Sequence, residues 1–300
     1  MTMPAAHADQ TSAVQTSAVQ IQAERARVFR ALHEGPGPLL LPNPWDALSA
    51  RIFEAAGFAA LATTSGGIAW SLGCVDGERL PRAHMLAAVA RIVNAVSVPV
   101  TADIEAGYGA SAEELRGTVR AVVGTGAVGI NLEDGLDGHT VLREAADAAS
   151  RIAAARAACD ALGVPMVINA RIDVFLRGGG TAESRMAEAV ERARAYVASG
   201  ADCVYPIGLS SPPEIAAFVA AVKAPVNVWA KPGMPGVAAL RRLGVARIST
   251  ATAPALVAAG GLQRLAAELR AHGDFDCLAS PLSHAELQRL MKKEPLENGT

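Results

Sequence analysis

The stretch that decides the fold is VPVTADIE-AGYGASAEELRGTVRAVVGTGAV-GINLED, residues 98–134. Its two ends, Val98–Glu105 and Gly129–Asp134, are short apolar runs with β-branched residues, which are typical of strands. Between them, Ala110–Thr125 mixes Ala, Arg and Glu with apolar residues and indicates a helix. The stretch therefore predicts one strand–helix–strand unit.

The same alternation continues on both sides of this unit. Six further apolar runs have the same character: Leu39–Asn43, Ala59–Ser65, Met166–Asp173, Cys203–Ile207, Val226–Ala230 and Arg247–Ala251. Helical patterns fill most of the gaps, and Gly-Ala, Gly-Phe or Val-Pro pairs precede several strands, as expected where a helix has just ended. Eight strand–helix units predict a (β/α)8 TIM-type barrel. A doubly wound sheet is the alternative, but no G-x-G-x-x-G motif follows an early strand.

Three segments are predicted along the chain. Residues 1–22 are expected to be a disordered tail, in which Thr-Ser-Ala-Val-Gln occurs twice in tandem. The catalytic barrel takes residues 23–272, with helix starting near Ala23 and a last barrel helix at Ala253–His272. Residues 273–300 form a helical extension, whose helix near Ser283–Lys293 has no place in a minimal barrel. We expect this extra C-terminal helix to pack on a neighbouring subunit or to cap an end.

Composition excludes several classes of function. With 51% hydrophobic and 19% charged residues, the chain can bury a substantial core. A net charge of −2 argues against nucleic-acid partners and anionic membrane surfaces. There is no run of eighteen apolar residues that would span a membrane, and the first residues lack the pattern of a secretory signal. The four cysteines are scattered, which fits a reducing cytosol, so we predict a cytoplasmic protein without a zinc or redox site.

Acidic side chains collect at the ends of two neighbouring predicted strands. Asp103 and Glu105 are two residues apart and share a face, and Glu133 or Asp134 ends the next strand. We expect Glu133 to point inward and Asp134 to face the helix layer. Such a cluster of oxygen ligands suits a hard divalent ion, Mg²⁺ or also Mn²⁺. The alternative is that one or more of these acids pairs with an arginine or caps a helix.

Two other strand ends carry candidate substrate-binding groups. Arg171 follows the fifth strand and could hold a carboxylate or phosphonate in a bidentate fork, or form a salt bridge to Glu133 or Asp173. The second strand ends in Thr64-Ser65-Gly66-Gly67, where small residues let backbone N–H groups approach an anion. A plain tight turn would explain the same four residues.

The lysines and histidines offer rival chemistries. Lys231 is the one lysine at a predicted strand end, so it could form a Schiff base as in an aldolase, or be a rim lysine in a Pro-Gly turn. The six histidines show no ligand spacing, and only His139 lies in a loop near the expected site.

The pattern resembles the isocitrate lyase/phosphoenolpyruvate mutase superfamily from about Leu40 to Leu269. The resemblance rests on motifs that occur in family order: Leu41-Pro42-Asn43-Pro44-Trp45-Asp46, Thr64-Ser65-Gly66-Gly67, Trp70-Ser71-Leu72-Gly73 with Asp76, Asp103-Ile104-Glu105-Ala106-Gly107-Tyr108-Gly109, Asn131-Leu132-Glu133-Asp134 and Asn169-Ala170-Arg171. Members use Mg²⁺ to hold a 2-oxo or 2-hydroxy acid while an adjacent C–C or P–C bond is cleaved or formed, giving an enolate. They are commonly tetramers that exchange the last helix, so a homotetramer is implied.

The resemblance also implies roles for individual residues. Asp103 is expected to bind the metal directly, and Asp76, Glu105 and Glu133 are expected to act through metal-bound waters. Ser65, Gly66 and Gly67 would cradle the substrate carboxylate, Asp103 would also face the substrate, Arg171 would clamp an anion, and Trp45 would form a wall.

Two departures from the family pattern narrow the predicted activity. The loop Gly135-Leu136-Asp137-Gly138-His139-Thr140 lacks both the Lys-Lys/Arg-Cys-Gly-His sequence of the lyases and the Lys-x-Asn-Ser sequence of the phosphonate enzymes. We therefore predict a Mg²⁺-dependent lyase or decarboxylase of a small oxaloacetate-like or substituted-malate-like carboxylate. Cleavage of a malate needs a further base, for which Tyr108, His139 or Tyr205 are candidates. The alternatives are a phosphonopyruvate-type P–C enzyme, a Schiff-base aldolase and a barrel that binds an oxo-acid without turnover.

Overall fold

The computed structural model describes residues 6–136, 141–177, 179–273 and 275–292, with side chains from residue 18 onward. Each of the eight predicted strands is present at its predicted place. Their bounds are β1 Leu39–Leu41, β2 Leu61–Ala62, β3 Val100–Asp103, β4 Gly129–Glu133, β7 Val167–Ile172, β8 Cys203–Pro206, β9 Asn227–Trp229 and β10 Arg247–Ser249. A short antiparallel hairpin, β5 Gly135–Leu136 and β6 Val141–Leu142, lies in the region after β4 that was predicted as loop.

The eight strands are parallel and close into a barrel. Five of them pair in the order β2-β3-β4-β7-β8, and three pair in the order β1-β10-β9. Two links join these sheets: the N–H of Ala62 donates to the carbonyl of Pro42 at 3.1 Å, and Val204 bridges Val226 in parallel. The predicted TIM-type barrel is therefore confirmed.

Helices surround the barrel. Their bounds are α1 Ala6–Ala31, α2 Ala47–Ala55, α3 Ser65–Ser71, α4 Arg82–Ala95, α5 Ala112–Val123, α6 Ala145–Ala161, α7 Val174–Arg177, α8 Ala182–Ala198, α9 Pro212–Val222, α10 Val237–Arg242, α11 Ala253–His272 and α12 His284–Met291, with 3₁₀ turns at Leu32–Glu34 and Asp276–Leu278. Several begin at capping boxes; in α5 the Ser111 side chain accepts from the Glu114 N–H and Glu114 accepts from the Ser111 N–H. No helix in the described part of the chain is long and apolar enough to cross a membrane.

The floor of the barrel, at the N-terminal ends of the strands, is covered by α1. This helix begins at Ala6 rather than near the predicted Ala23, so it takes in part of the expected tail. Phe29 is fully buried, and His33 is buried just beyond the helix. The Gln22 side chain donates to the carbonyl of Val123, the last residue of α5, and to that of Ala127 in the turn that follows. These contacts close the end of the barrel opposite to the one where (β/α)8 enzymes carry their chemistry.

The C-terminal elements follow their predicted bounds closely. α11 has the predicted limits, and Ser283 caps α12, which was predicted near Ser283–Lys293. Within the chain, α12 packs on α2, where the Arg51 guanidinium donates to the carbonyls of Leu290 and Lys292. Because those carbonyls lie at the end of α12, Arg51 satisfies acceptors that the helix leaves open. The boundaries of the predicted tail, barrel and extension stay a prediction.

Candidate active site

A cavity of about 200 Å³ opens at the C-terminal ends of the barrel strands. Every barrel strand contributes to its wall, either by a strand residue or by one just beyond it: Asn43, Ser65, Asp103, Asn131, Arg171, Tyr205, Trp229 and Ser249. Five residues predicted from the sequence, Ser65, Asp76, Asp103, Arg171 and Tyr205, lie on this wall. The cavity is therefore where (β/α)8 enzymes place their chemistry.

Asp103 is the last residue of β3 and is fixed from two sides. Its backbone N–H donates to the Thr63 hydroxyl at 2.9 Å, and its Oδ2 accepts from the Ser65 N–H at 3.1 Å. Burial raises the pKa of Asp103, and Asp76 acts in the same direction, whereas the Arg171 guanidinium lowers it. Asp103 is thus a partly buried carboxylate whose charge is only partly offset by Arg171.

The glycines after Ser65 allow close approach of other site residues. A Cβ atom on Gly66 would lie 2.9 Å from Oδ2 of Asp76, and one on Gly67 would lie 2.8 Å from Cβ of Trp45. A side chain at either position would therefore force these neighbouring side chains to move. Trp45 is half-buried and lies behind Gly67. It therefore supports the cavity from behind and does not line it.

Glu105 lies two residues beyond Asp103 and is buried. Its Oε2 accepts from the Glu78 N–H at 2.6 Å and its Oε1 accepts from the Tyr108 hydroxyl at 2.9 Å. Burial, with the charges of Asp103 and Asp76, raises the pKa of Glu105 to about 7. The Tyr108 hydroxyl is therefore held by a hydrogen bond to the Glu105 carboxylate. Burial, together with that carboxylate, raises the pKa of Tyr108.

Arg171 lies between two carboxylates as well as on the cavity wall. Its Nη1 is 2.6 Å from Oε2 of Glu133 and its Nε is 2.8 Å from Oδ1 of Asp173. Burial alone would lower the pKa of Arg171, but the charges of Glu133 and Asp173 outweigh it and raise the pKa. The sequence left open a clamp or a salt bridge, and the structure shows the salt bridges on a side chain that also faces the cavity.

Glu133 is buried beside Arg171, behind the cavity wall. Burial raises the pKa of Glu133 well above its usual range, and Asp173, Asp103 and Glu105 add to the effect, although Arg171 opposes it. The charges of these carboxylates therefore act on one another, as predicted for strands that end side by side.

Asp134 faces the helix layer, as predicted. Its Oδ2 accepts from the Tyr196 hydroxyl at 2.6 Å and pairs with Arg192 of α8, and its Oδ1 accepts from the Asp173 N–H at 2.9 Å. Asp134 thus fixes the backbone that carries Asp173, which in turn binds Arg171. The sequence reasoning did not identify this support, although Arg192 and Tyr196 are spaced i, i+4 on one helix face.

The carboxylates fit a hydrated divalent ion. Across residues 6–136, 141–177, 179–273 and 275–292, no three His, Cys, Asp or Glu side chains lie close enough together to bind one ion directly. Asp103 and Asp76 lie on the wall, with Glu105 and Glu133 buried behind it. An ion that keeps several of its waters needs only one or two carboxylates, and its charge would offset the repulsion that raises these pKa values.

The rival candidates are placed elsewhere. The Lys231 ammonium lies 5.3 Å from the Trp229 ring centroid, over the ring, and Trp229 rather than Lys231 forms the wall. His139 lies outside the described residues. Tyr205 is on the wall and is buried. The sequence reasoning missed Trp229 and Ser249 as wall residues, although period-two alternation from the strand starts would have placed both inward.

A parallel (β/α)8 barrel with a carboxylate-lined, arginine-bearing cavity at its C-terminal face has the architecture on which many (β/α)8 enzymes build their active sites. The phosphoenolpyruvate phosphomutase family model matches residues 29–270, and the chain belongs to this family, within the isocitrate lyase/phosphoenolpyruvate mutase superfamily. Its relatives are carbon–carbon lyases or mutases, so the predicted class of enzyme is confirmed.

Individual relatives cover most of the barrel. The chain is 31% identical over 206 residues to 2-methylisocitrate lyase of Escherichia coli (strain K12), across 67% of this chain and 68% of the relative. It is 30% identical over 215 residues to oxaloacetate decarboxylase of Rhodopseudomonas palustris (strain BisB5), across 69% and 71%. The solved structure of phosphonopyruvate hydrolase with oxalate and Mg²⁺ superposes with a TM-score of 0.78 at 26% identity, covering 89% of this chain and 94% of that one.

Proposed function

We propose that this chain is a Mg²⁺-dependent lyase or decarboxylase of small 2-oxo or 2-hydroxy carboxylates, with Mn²⁺ able to replace Mg²⁺. The observation that carries the proposal is the presence of Asp103, Asp76 and Arg171 on the wall of one small cavity. Two carboxylates and one guanidinium can hold a divalent ion and an anionic substrate side by side.

Asp103 and Asp76 would hold the ion from the cavity wall, with Glu105 and Glu133 supplying negative charge from behind. When bound, the ion supplies positive charge near the oxygen on which negative charge develops as the bond breaks. The chain itself keeps Asp103 in place through the Thr63 hydroxyl and the Ser65 N–H. This fixed arrangement limits the reorganisation needed when the substrate binds.

The substrate's anionic groups have two candidate positions. Ser65, Gly66 and Gly67 begin α3; the Ser65 N–H is used by Asp103 and the Gly67 N–H by Thr64, so a carboxylate beside them would accept from the Gly66 N–H and the Ser65 hydroxyl. Arg171, on another part of the wall, would hold a second anionic group. Its pairing with Glu133 and Asp173 fixes the guanidinium but also reduces its net charge, so the bound ion would have to supply the rest of the positive charge that a dianionic substrate needs.

Tyr205 is the proposed proton donor for the carbon from which a group has left. Burial raises the pKa of Tyr205, although Arg171 lowers it, so the phenol keeps its proton at neutral pH and is suited to donate rather than to abstract. Decarboxylation needs such a donor and no strong base. This favours a substrate that resembles oxaloacetate over one whose cleavage must begin by removing a proton.

The decisive experiment is a substrate panel with pyruvate detection. Oxaloacetate, phosphonopyruvate, methylisocitrate and dimethylmalate are each supplied with Mg²⁺, with Mn²⁺ or with EDTA. We expect metal-dependent pyruvate release, largest with oxaloacetate and smaller with dimethylmalate. Turnover of phosphonopyruvate alone would favour the P–C enzyme, and EDTA-resistant turnover with borohydride trapping at Lys231 would favour the aldolase. Binding without turnover of any substrate would overturn the proposed activity.

We also propose that the protein is a homotetramer whose C-terminal helices pack between subunits. α11 has no buried residue along its whole length, and the side chains of Val257 and Leu262 are 73% and 67% exposed. In the extension, Leu278 and Leu282 are exposed as well. Apolar groups in such number favour burial against another surface. Light scattering should report a tetramer, and a monomer would contradict this proposal.

A further inference from the structure

Three residues, through their side chains and backbone N–H groups, meet between two loops at the cavity mouth. We call Glu78, Glu105 and Tyr108 the latch. The Glu78 N–H donates to Oε2 of Glu105 at 2.6 Å, the Tyr108 N–H donates to Oε1 of Glu78 at 2.7 Å, and the Tyr108 hydroxyl donates to Oε1 of Glu105 at 2.9 Å. The latch therefore joins residues 72–81, the loop after α3, to residues 104–111, the loop after β3.

The backbone of the latch adopts a conformation that L residues rarely take. The φ angles of Glu78, Glu105 and Tyr108 are 57°, 51° and 53°. In the described part of the chain, only two other non-glycine residues, Lys223 and Ala251, have positive φ. Left-handed conformations of residues with side chains persist only where surrounding contacts hold them. The mutual hydrogen bonds of the latch supply such contacts.

The two loops are anchored unequally. The Arg151 guanidinium of α6 is buried and donates to four carbonyls of the loop after β3, those of Ala106, Gly109, Ala110 and Ser111. The loop after β3 is therefore tied to a barrel helix independently of the latch. The loop after α3 carries Asp76, two residues from Glu78, so the latch connects Asp76 to a part of the barrel that is already fixed.

Neither Tyr108 nor Glu78 is on the cavity wall, so neither is placed to touch a substrate there. Both instead contact residues that bear or neighbour the predicted metal carboxylates. We propose that Tyr108 and Glu78 are positioning residues that hold the Asp76 loop against Glu105, so that the two carboxylates take up their places together. The metal part of this inference rests on the proposed function, whereas the coupling of the two loops does not.

The coupling is tested on the metal-free protein by hydrogen–deuterium exchange. In Tyr108→Phe, the Glu105 carboxylate loses the hydroxyl that fixes it, so its bond from the Glu78 N–H should loosen and residues 72–81 should exchange about tenfold faster. In Glu78→Ala, residues 104–111 should likewise exchange about tenfold faster, as expected when a hydrogen bond to a charged acceptor is lost. The control Glu113→Ala removes an exposed carboxylate that pairs only along α5 and should change neither loop. If each substitution affects only its own loop, the latch is refuted.

The consequence for the metal is measured by Mg²⁺ titration in a calorimeter. Tyr108→Phe and Glu78→Ala should bind Mg²⁺ about tenfold more weakly, because the carboxylates are no longer held together. Glu78→Gln keeps an oxygen acceptor for the Tyr108 N–H and should stay within about twofold of the wild type. Unchanged affinity in both disruptive variants would overturn the positioning role.

The two tests separate failure of the latch from failure of the proposed function. If the wild-type protein does not bind Mg²⁺ while the loops respond across the latch as expected, the proposed function fails and the coupling stands. If the wild type binds Mg²⁺ while the loops exchange independently, the proposed function stands and the latch fails.

Discussion

The floor and the mouth of this barrel differ in how their charged side chains are balanced. At the floor, Asp202 pairs with both Arg30 and Arg156 and accepts from the Ile168 N–H. At the mouth, the partly buried Asp103 and the buried Glu105 both have raised pKa values, and Arg171 is shared with two other carboxylates. The floor has more cations than acids and the mouth has more acids than cations.

Residues with a strained backbone are likewise concentrated at the mouth. Four of the described non-glycine residues with positive φ, namely Glu78, Glu105, Tyr108 and Ala251, lie at the mouth, whereas the fifth, Lys223, caps α9. The comparison shows that the floor is built for stability and that the mouth retains unfavourable features a ligand can relieve. Four substitutions or pH changes test this contrast, in order of decreasing expected effect.

The largest effect is expected from Asp103→Asn, which keeps the size of the side chain and removes its charge. Metal-dependent turnover should fall by about a thousandfold or more, because a direct ligand and its charge are lost. The unfolding free energy of the metal-free protein should not decrease, since a buried charge has been removed. Turnover is measured as pyruvate release at saturating Mg²⁺. Activity within tenfold of the wild type would show that Asp103 is not a metal ligand.

At the floor, the lowered pKa of His33 predicts that the folded protein loses stability in acid. Burial lowers the pKa of His33 from 6.5 to about 4, and the Arg247 charge adds to this effect. Between these values the unfolded chain binds a proton that the folded protein excludes. The contribution of His33 is therefore complete above pH 6.5 and is lost as pH falls towards 4, by about 3 kcal/mol.

The measurement is urea unfolding of the wild type and of His33→Asn at pH 7 and pH 5. Asn keeps a donor for the Phe29 carbonyl that His33 Nδ1 contacts at 2.9 Å, and it does not titrate. Between pH 7 and pH 5, the free energy of unfolding should fall more in the wild type than in His33→Asn. Equal losses would mean that His33 is already protonated in the folded state.

At the mouth, the raised pKa of Glu105 predicts that stability depends on pH in the opposite direction. Its folded pKa of about 7 is above its ordinary value of 4.5, so the folded protein binds a proton that the unfolded chain has released. Stability due to Glu105 is complete below pH 4.5 and is lost as pH rises through 7. In EDTA at pH 8, Glu105→Gln should therefore be more stable than the wild type, by about 3 kcal/mol.

This gain should disappear at pH 4.5, where both side chains are neutral. Glu113→Gln, an exposed carboxylate on α5, is the matched control and should show no gain at either pH. A Glu105→Gln variant that is less stable than the wild type at pH 8 would contradict the contrast between mouth and floor.

The smallest effect is expected from Gly66→Ala. The added Cβ would lie 2.9 Å from Oδ2 of Asp76 and 2.8 Å from Cγ2 of Thr252, so Asp76 must move. We expect about tenfold weaker Mg²⁺ activation with a small change in unfolding temperature. Gly236→Ala, where a Cβ would meet open space, is the control. Unchanged Mg²⁺ activation in Gly66→Ala would show that the position of Asp76 is not critical.

The barrel could be predicted from the sequence because its signals are local. Each strand is a short β-branched run after a turn, and α11 begins and ends at its predicted residues, Ala253 and His272. Asp103, Ser65 and Arg171 could be assigned to the cavity because the ends of parallel strands meet at one face. The predicted start of α1, near Ala23, was wrong. An alanine-rich sequence without an apolar stripe does not show whether a segment is a helix or a disordered tail.

The connections among side chains could not be predicted in the same way. Glu78 is a charged residue in a loop, and only the folded path of that loop brings it to Glu105 and Tyr108. The pairing of Arg171 with both Glu133 and Asp173 was foreseen as an alternative to a clamp, but spacing along strands does not choose between them. Such contacts depend on side-chain conformations and on packing from several elements.

Direct measurement of metal binding tests the central claim, that the carboxylates at the mouth converge on one divalent ion. Wild-type protein and Asp103→Asn are titrated with Mn²⁺, and free Mn²⁺ is followed by electron paramagnetic resonance. The account predicts one site per chain in the wild type, competed by Mg²⁺ and lost in Asp103→Asn. Equal Mn²⁺ binding by the two proteins would contradict it.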